Sequence, residues 1–255
     1  MTRWVVDIGN SCIKWAISQG DVLSDHHRIG YLQQDLELLL NQAWQSLEKP
    51  DEIWIASVAK PQIADKVSDW LKTHWKIQPV LVQSTQADCG VTNGYQNPQQ
   101  LGVDRWLALI GAYHQLSQVP LCIADCGTAI TIDALSAKGQ HLGGLIVPGI
   151  SLMRHALMTE TFALADFQAT EKCEGKTTLL ANDTHSGITC GTLYAVIALL
   201  DYVMSHLGQQ QGDPLTLILT GGNAPALFPL LHRPYQYSPY LVLQGLVAVA
   251  NRQFK

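Results

Sequence analysis

Two short stretches place an aspartate, a turn glycine and small polar residues in the same order: Asp7-Ile8-Gly9-Asn10-Ser11 and Asp125-Cys126-Gly127-Thr128-Ala129, 118 residues apart. Each follows an apolar run, Trp4-Val5-Val6 in the first case and Leu121-Cys122-Ile123-Ala124 in the second. Glycine carries no Cβ, so a turn built on it can come close to a bulky anion. Successive N–H groups in such a turn can cradle phosphate oxygens. An aspartate at the end of the strand can hold Mg²⁺ against those phosphates, and a cation such as Lys14, just beyond, can neutralise their charge. Either stretch alone reads equally well as an ordinary hairpin. Two copies, followed by a strand-end Thr220-Gly221-Gly222 before Asn223-Ala224-Pro225, point instead to a nucleotide held by two phosphate turns and a glycine pair.

The elements needed to position these turns are legible nearby. Residues 3–18 read as two strands around the turn at Ile8-Gly9-Asn10, with a third strand near Val22–Ile29. Helical spacing of Leu36, Leu39, Leu40, Ala43, Trp44 and Leu47 predicts a helix over residues 33–47, stopped by Pro50. A strand is expected at 52–58 and a helix from Pro61 to about His74, since proline suits the first helical turn. A short strand follows at 80–82, then a loop over 84–100 and a helix over 101–116. The series then restarts at Leu121–Leu135. Further strands are expected near 143–147 and 215–219, and helices near 150–157, 183–207 and 242–252. Pro148-Gly149 reads as a strand ending before a helix. These patterns predict two duplicated α/β halves, residues 1–117 and 118–255.

Composition limits the alternatives. Of 255 residues, 47% are hydrophobic and 15% charged, and the net charge is −5. The chain can bury a core, and its bulk charge favours neither a nucleic-acid nor a membrane-surface partner. Asp7 interrupts the first apolar run, and no segment reads as the ~20 apolar residues of a spanning helix, so a cytoplasmic protein is expected. Cys12, Cys89, Cys122, Cys126, Cys173 and Cys190 are scattered, without a Cys-x-x-Cys pair, and buried free thiols are the simplest reading. The seven tryptophans read as core or interface. Asp133 reads as a third metal carboxylate or as a surface residue. Lys176 resembles a P-loop lysine only superficially, because the first glycine of Gly-x-x-x-x-Gly-Lys and the strand before it are missing.

The three glycine turns in this order resemble the actin, sugar kinase and Hsp70 superfamily. That resemblance implies two actin-like (ribonuclease H-like) halves with a nucleotide cleft between them. Six stretches narrow it: DIGNSCIK (7–14), GVDRW (102–106), DCGTAITID (125–133), GGLIVPG (143–149), DTHSGITCG (183–191) and TGGNA (220–224). Together they are similar to type III pantothenate kinases over nearly the whole chain. The resemblance implies ATP-dependent phosphorylation of pantothenate, the first step of coenzyme A synthesis. Asp7, Ile8, Gly9, Asn10, Ser11, Cys12, Ile13, Lys14 and Thr128 would then contact ATP. Asp104 would be the general base. Tyr95, Gly102, Val103, Asp104, Arg105 and Thr184 would form the pantothenate pocket, Thr184 reaching it from the partner of a homodimer. Mg²⁺ would accompany ATP, and Asp125 would hold K⁺ or NH₄⁺. Another small-molecule kinase of the superfamily, or a non-catalytic accessory regulator, are the alternatives.

Overall fold

A computed structural model describes residues 1–160, 179–211 and 214–252. Cys173 and Lys176 lie outside the described residues. In chain order the elements are β1 (Arg3–Ile8), β2 (Cys12–Gln19), β3 (Val22–Gly30), α1 (Leu36–Trp44), β4 (Glu52–Ser57), α2 (Pro61–Trp70), β5 (Val80–Leu81), β6 (Ala87–Asp88), β7 (Val91–Thr92) and α3 (Val103–Gln115). There follow β8 (Leu121–Cys126), β9 (Ala129–Leu135), β10 (His141–Pro148), α4 (Ile150–Glu160), α5 (Thr184–Gln211), β11 (Thr216–Thr220), β12 (Tyr235–Tyr237) and α6 (Leu241–Arg252).

The chain divides into two compact units. The first comprises residues 1–118, 138–141 and 240–255, and the second residues 119–137 and 142–239. The simple halves expected at 117/118 therefore differ from this division at residues 138–141 and at the C-terminal helix, both of which group with the first unit. The reason for the helix is packing. α6 buries Leu241, Leu243, Leu246 and Val249, and it meets α3 closely enough that a Cβ on Gly245 would lie 1.9 Å from the Leu107 carbonyl oxygen. Only glycine allows that approach.

The two sheets repeat one topology. In the first unit the order is β3-β2-β1-β4-β5 and in the second β10-β9-β8-β11-β12. The central strand of each pairs antiparallel with the strand that follows it and parallel with β4 or β11. β1 and β8 keep the sequence offset of 118, so Asp7 and Asp125 occupy the same place, one residue before the strand end.

Alternation along β1 sends Trp4, Val6 and Ile8 to one face, where they pack with Leu40, Trp44, Val67 and Trp70 of α1 and α2. Trp4, Trp15, Trp44, Trp70 and Trp75 form one aromatic cluster with neighbouring ring centroids 4.9–6.3 Å apart. All seven tryptophans are buried, which places them in the core. Val5 and Asp7 take the opposite face.

Several expected elements change in detail. The helix begun at Pro61 ends at Trp70 and continues as one π-turn over Leu71–Trp75, closed by Lys76 in the left-handed region. The expected loop over 84–100 contains the β6–β7 hairpin and a 3₁₀ turn at Pro98–Gln100. β12 went unread because three residues with two tyrosines give too short a pattern to register. Asp133 is buried, not a surface residue. Cys12, Cys89, Cys122 and Cys126 are free thiols, whereas Cys190 is disulfide-bonded, which corrects the free-thiol reading there. The expectation that no segment is long and apolar enough to span a membrane also needs correcting. Within α5, Thr184–Gln210 meets that criterion by length and composition. Its apolar residues Leu193, Val196, Leu200, Val203 and Met204 are nonetheless buried in the core of the second unit, against β8, β9 and β11.

Candidate active site

In the first unit the Gly9 turn is closed by Gly9 N–H donating to the Cys12 carbonyl at 3.0 Å. Tyr31 braces it from β3's end: its hydroxyl donates to the Gly9 carbonyl at 2.6 Å, and its N–H donates to the Ser11 carbonyl at 3.3 Å. Asn10 is exposed at the tip and Ser11 is half-buried, whereas Ile8, Cys12 and Ile13 are buried. Those three positions can therefore meet a ligand only through their backbone.

Asp7 is buried, and Lys14 lies directly opposite it on β2. Lys14 Nζ is 3.7 Å from Asp7 Oδ2. Residues directly opposite across an antiparallel pair project to the same face, so the register dictates this pair. Burial pushes the Asp7 carboxyl up to about 6; Lys14 pulls it down, and the nearby charge of Asp104 pushes it up further. Asp7 Oδ1 is a buried oxygen without a hydrogen-bond partner. A desolvated carboxylate oxygen left without a donor is costly, and it is the kind of hard ligand that Mg²⁺ takes. The site fits that ion.

The GVDRW stretch forms the first turn of α3. Asp104 Oδ1 accepts from Arg105 N–H at 2.8 Å, and a Cβ at Gly102 would lie 2.6 Å from the same oxygen. Gly102 thus leaves room for Asp104 to fold back over the helix start, where the macrodipole favours a carboxylate. Arg105 is buried and donates from Nη1 to the Tyr95 hydroxyl at 2.8 Å, with its guanidinium carbon 5.6 Å from the Tyr95 ring centroid. Tyr95 sits at a bend after β7, and its N–H donates to Asn93 Oδ1 at 3.0 Å. Asn93 is itself buried and tied to the Thr85 and Pro98 carbonyls. Beside Val103 opens a pocket of about 310 Å³ lined by Ser57, Gln83, Ser84 and Gln99 among others. Ser57 Oγ is buried there without a hydrogen-bond partner.

In the second unit two sequence motifs meet. Thr220 pairs with Asp125, and Gly221, with φ +89°, lies so close that a Cβ would be 2.4 Å from Asp125 Oδ1. Asn223 donates from its backbone to the Cys126 carbonyl at 3.0 Å and from Nδ2 to the Gly127 carbonyl at 3.3 Å. Thr128 is exposed on this turn. Gly149, read from sequence as a strand end alone, also packs here: its N–H donates to the Thr128 carbonyl at 2.9 Å, and a Cβ would lie 2.3 Å from that oxygen. Burial pushes the Cys126 thiol up to about 12, so no thiolate competes at this turn. The carboxylate of Asp125 is a ligand type that suits a hard cation. Thr184 opens α5, exposed, behind Asp183, whose Oδ1 accepts from Ser186 N–H at 2.8 Å. Within the first unit the structure joins Tyr95, Gly102, Asp104 and Arg105 around the start of α3 and Asp7 with Lys14 across β1–β2, Asp104 lying near enough to act on the charge of Asp7, while Asp125, Thr128 and Thr184 belong to the second unit. Among the described residues no three His, Cys, Asp or Glu side chains cluster as a metal site.

Comparison with known proteins matches residues 4–206 to the family model described as type III pantothenate kinase. The chain belongs to the type III pantothenate kinase family. The type III pantothenate kinase of Nitrosococcus oceani is 37% identical over 251 residues, covering 97% of this chain and 93% of that one. The enzyme of the same name from Dichelobacter nodosus is 37% identical over 246 residues, 96% of each chain. Two solved structures share the fold at lower identity. A candidate Baf family transcriptional activator from Campylobacter jejuni has a TM-score of 0.60 at 19% identity, covering 98% of both chains. The activator of the 2-hydroxyisocaproyl-CoA dehydratase from Clostridium difficile has a TM-score of 0.54 at 13% identity, covering 100% of this chain and 94% of that one. The two five-stranded sheets of this family member thus lie in an α/β fold that these solved structures share.

Proposed function

We propose that the chain phosphorylates pantothenate with ATP, with Asp104 as general base and with Arg105 and Tyr95 holding the acceptor. The observation that carries the reading is the joining of Asp104, Arg105 and Tyr95 at the start of α3, in a chain 97% of which aligns with a type III pantothenate kinase.

Phosphoryl transfer depends on in-line positioning and charge neutralisation more than on covalent help. A carboxylate at the helix start can accept the proton of an acceptor hydroxyl as its oxygen bonds to phosphorus. Arg105 can grip a carboxylate of the acceptor through two parallel hydrogen bonds, because its guanidinium presents a planar fork. The Gly9 turn would present its backbone to the phosphates of ATP, with Lys14 beside them, and Thr128 would contact ATP from the second turn. Asp7 would hold Mg²⁺, which spreads the developing negative charge, and Asp125 would hold K⁺ or NH₄⁺. The reading includes a homodimer in which Thr184 serves the partner's acceptor pocket. Its exposure at the first turn of α5 is what such a role requires. A cytoplasmic site of action agrees with the metabolic role of its bacterial relatives.

The test is ATP consumption by the purified protein with pantothenate, Mg²⁺ and K⁺, alongside a panel of sugars. Phosphorylation confined to pantothenate is expected. Turnover of a sugar in preference to pantothenate overturns the reading. Light scattering of the same sample gives the mass of a dimer if the homodimer is right, and of a monomer if it is not.

A further inference from the structure

Tyr95 lies on a bend, outside any helix or strand, yet its hydroxyl must meet Arg105 with hydrogen-bond accuracy. Its backbone is held by Asn93. Its ring is met by a residue from a distant part of the sequence. His141 stacks on it, with ring centroids 5.8 Å apart and planes inclined by 13°. Gly94, the residue before Tyr95, runs so close to the His141 backbone that a Cβ would lie 2.1 Å from the His141 carbonyl oxygen. The Gly94 N–H also makes a long 3.5 Å contact to His141 Nδ1.

His141 is itself fixed by the segment that carries it. Residues 138–141 belong to the first unit although the chain on either side belongs to the second. Thr92 N–H donates to the Gly139 carbonyl at 2.9 Å, and Thr92 bridges to Gln140 as a strand partner. Gly139 has φ +78°, and a Cβ there would lie 2.2 Å from the Gly90 carbonyl oxygen and 3.1 Å from the Tyr113 ring. Both Gly94 and Gly139 thus sit where a side chain would force the two segments apart. The result is a residue 2% exposed whose ring stacks on Tyr95, the residue that leads to the site.

We propose that His141 is a positioning residue for acceptor recognition: it fixes the Tyr95 ring, and through it the Tyr95–Arg105 pair. This rests on the reading that Tyr95 and Arg105 line the acceptor pocket. His141 does not touch the acceptor. Stacked rings hold each other's orientation through offset contact, which an aliphatic side chain or amide does not reproduce. A ring that wanders leaves the Arg105 fork without its Tyr95 anchor, so the acceptor is gripped less often in the productive geometry.

The experiment compares His141→Ala, His141→Phe and His141→Gln with Arg105→Lys, measuring kcat, both KM values and Tm. Loss of one aromatic pair corresponds to an about three- to tenfold rise in the pantothenate KM for His141→Ala. The KM for ATP should stay within about twofold. His141→Phe should restore most of the loss and His141→Gln should not, because the ring and not the polarity is what acts. If the alanine variant does not fold, the contrast between Phe and Gln carries the test alone. A pantothenate KM unmoved in His141→Ala while Arg105→Lys raises it overturns the inference. So does equal rescue by Phe and Gln, or a fall in Tm accompanied by a uniform loss of all kinetic constants. If Arg105→Lys leaves the pantothenate KM unmoved, the acceptor-pocket reading itself fails and this inference falls with it.

Discussion

Lys14 Nζ lies 3.7 Å from Asp7 Oδ2, across the β1–β2 pair in which the two residues stand directly opposite each other. The cation does not offset the burial of the carboxyl, whose pKa rises from 3.8 to about 6. Folded protein therefore binds a proton here more tightly than unfolded chain does. Between about pH 4 and pH 6 the folded state gives up that advantage as pH rises, and above about pH 6 the charged carboxylate destabilises the fold by at most about 3 kcal/mol. Asp7→Asn should therefore raise Tm at pH 7.5 in the absence of Mg²⁺ and nucleotide, and the gain should vanish near pH 4. A lower or unchanged Tm at pH 7.5 contradicts the assignment of Asp7 as a strained, ligand-ready carboxylate.

Asp104→Asn keeps the helix start, since the amide oxygen can still accept from Arg105 N–H. It cannot take up a proton. The expected fall in kcat is roughly 10²- to 10⁴-fold with nucleotide affinity unchanged. Single-turnover phosphorylation measures the first and calorimetric titration with ATP the second. A kcat within about threefold of the parent removes Asp104 from the proton transfer.

Arg105→Lys keeps the charge and loses the fork. Its Nη1 bond to the Tyr95 hydroxyl goes as well. A charge-assisted hydrogen bond contributes about 1.5–3 kcal/mol, so the pantothenate KM should rise about tenfold or more. Pantothenol, with a hydroxyl in place of the carboxylate, should be a poor substrate for the parent and lose little more in the variant. A raised KM for ATP with pantothenate unaffected would place Arg105 on the nucleotide side instead.

Gly245→Ala would set a Cβ 1.9 Å from the Leu107 carbonyl oxygen and 2.7 Å from its carbon. Both are backbone atoms, so α3 and α6 must move apart, at a cost of about 3 kcal/mol. Gly191→Ala, within α5, meets nothing within 4 Å and should stabilise by about 0.5–1 kcal/mol through helix propensity. Thermal melts of the two variants should move in opposite directions. Equal shifts would mean that the α3–α6 contact is looser than the structure gives it.

The paired turns were legible because their chemistry is local. Asp, Gly and a β-branched or aromatic strand lie within a few residues of each other, and the duplication at an offset of 118 is visible by alignment of the chain on itself. The roles proposed for the α3 residues come only from resemblance, since Asp104-Arg105 on its own reads as an ordinary helix start. His141 left no signal, and Gly149 showed only as a strand end within GGLIVPG, not as a contact of the Thr128 turn. Each acts through contacts with residues far away in sequence, His141 on Tyr95 and Gly149 on the Thr128 carbonyl. Periodicity marked α6 as an apolar helix but could not say what it packs on, because its partner α3 precedes it by more than 100 residues.

That long return has a consequence for biosynthesis. During translation, β1, β4 and α3 emerge early, but the apolar face that α6 covers stays open until Leu241–Arg252 has been made. The first unit is then the last to be completed, and its folding rate is tied to closing the longest loop in the chain. Any chain released before Leu241 is made would carry its Gly9 turn formed and the back of its sheet bare, a species prone to aggregation.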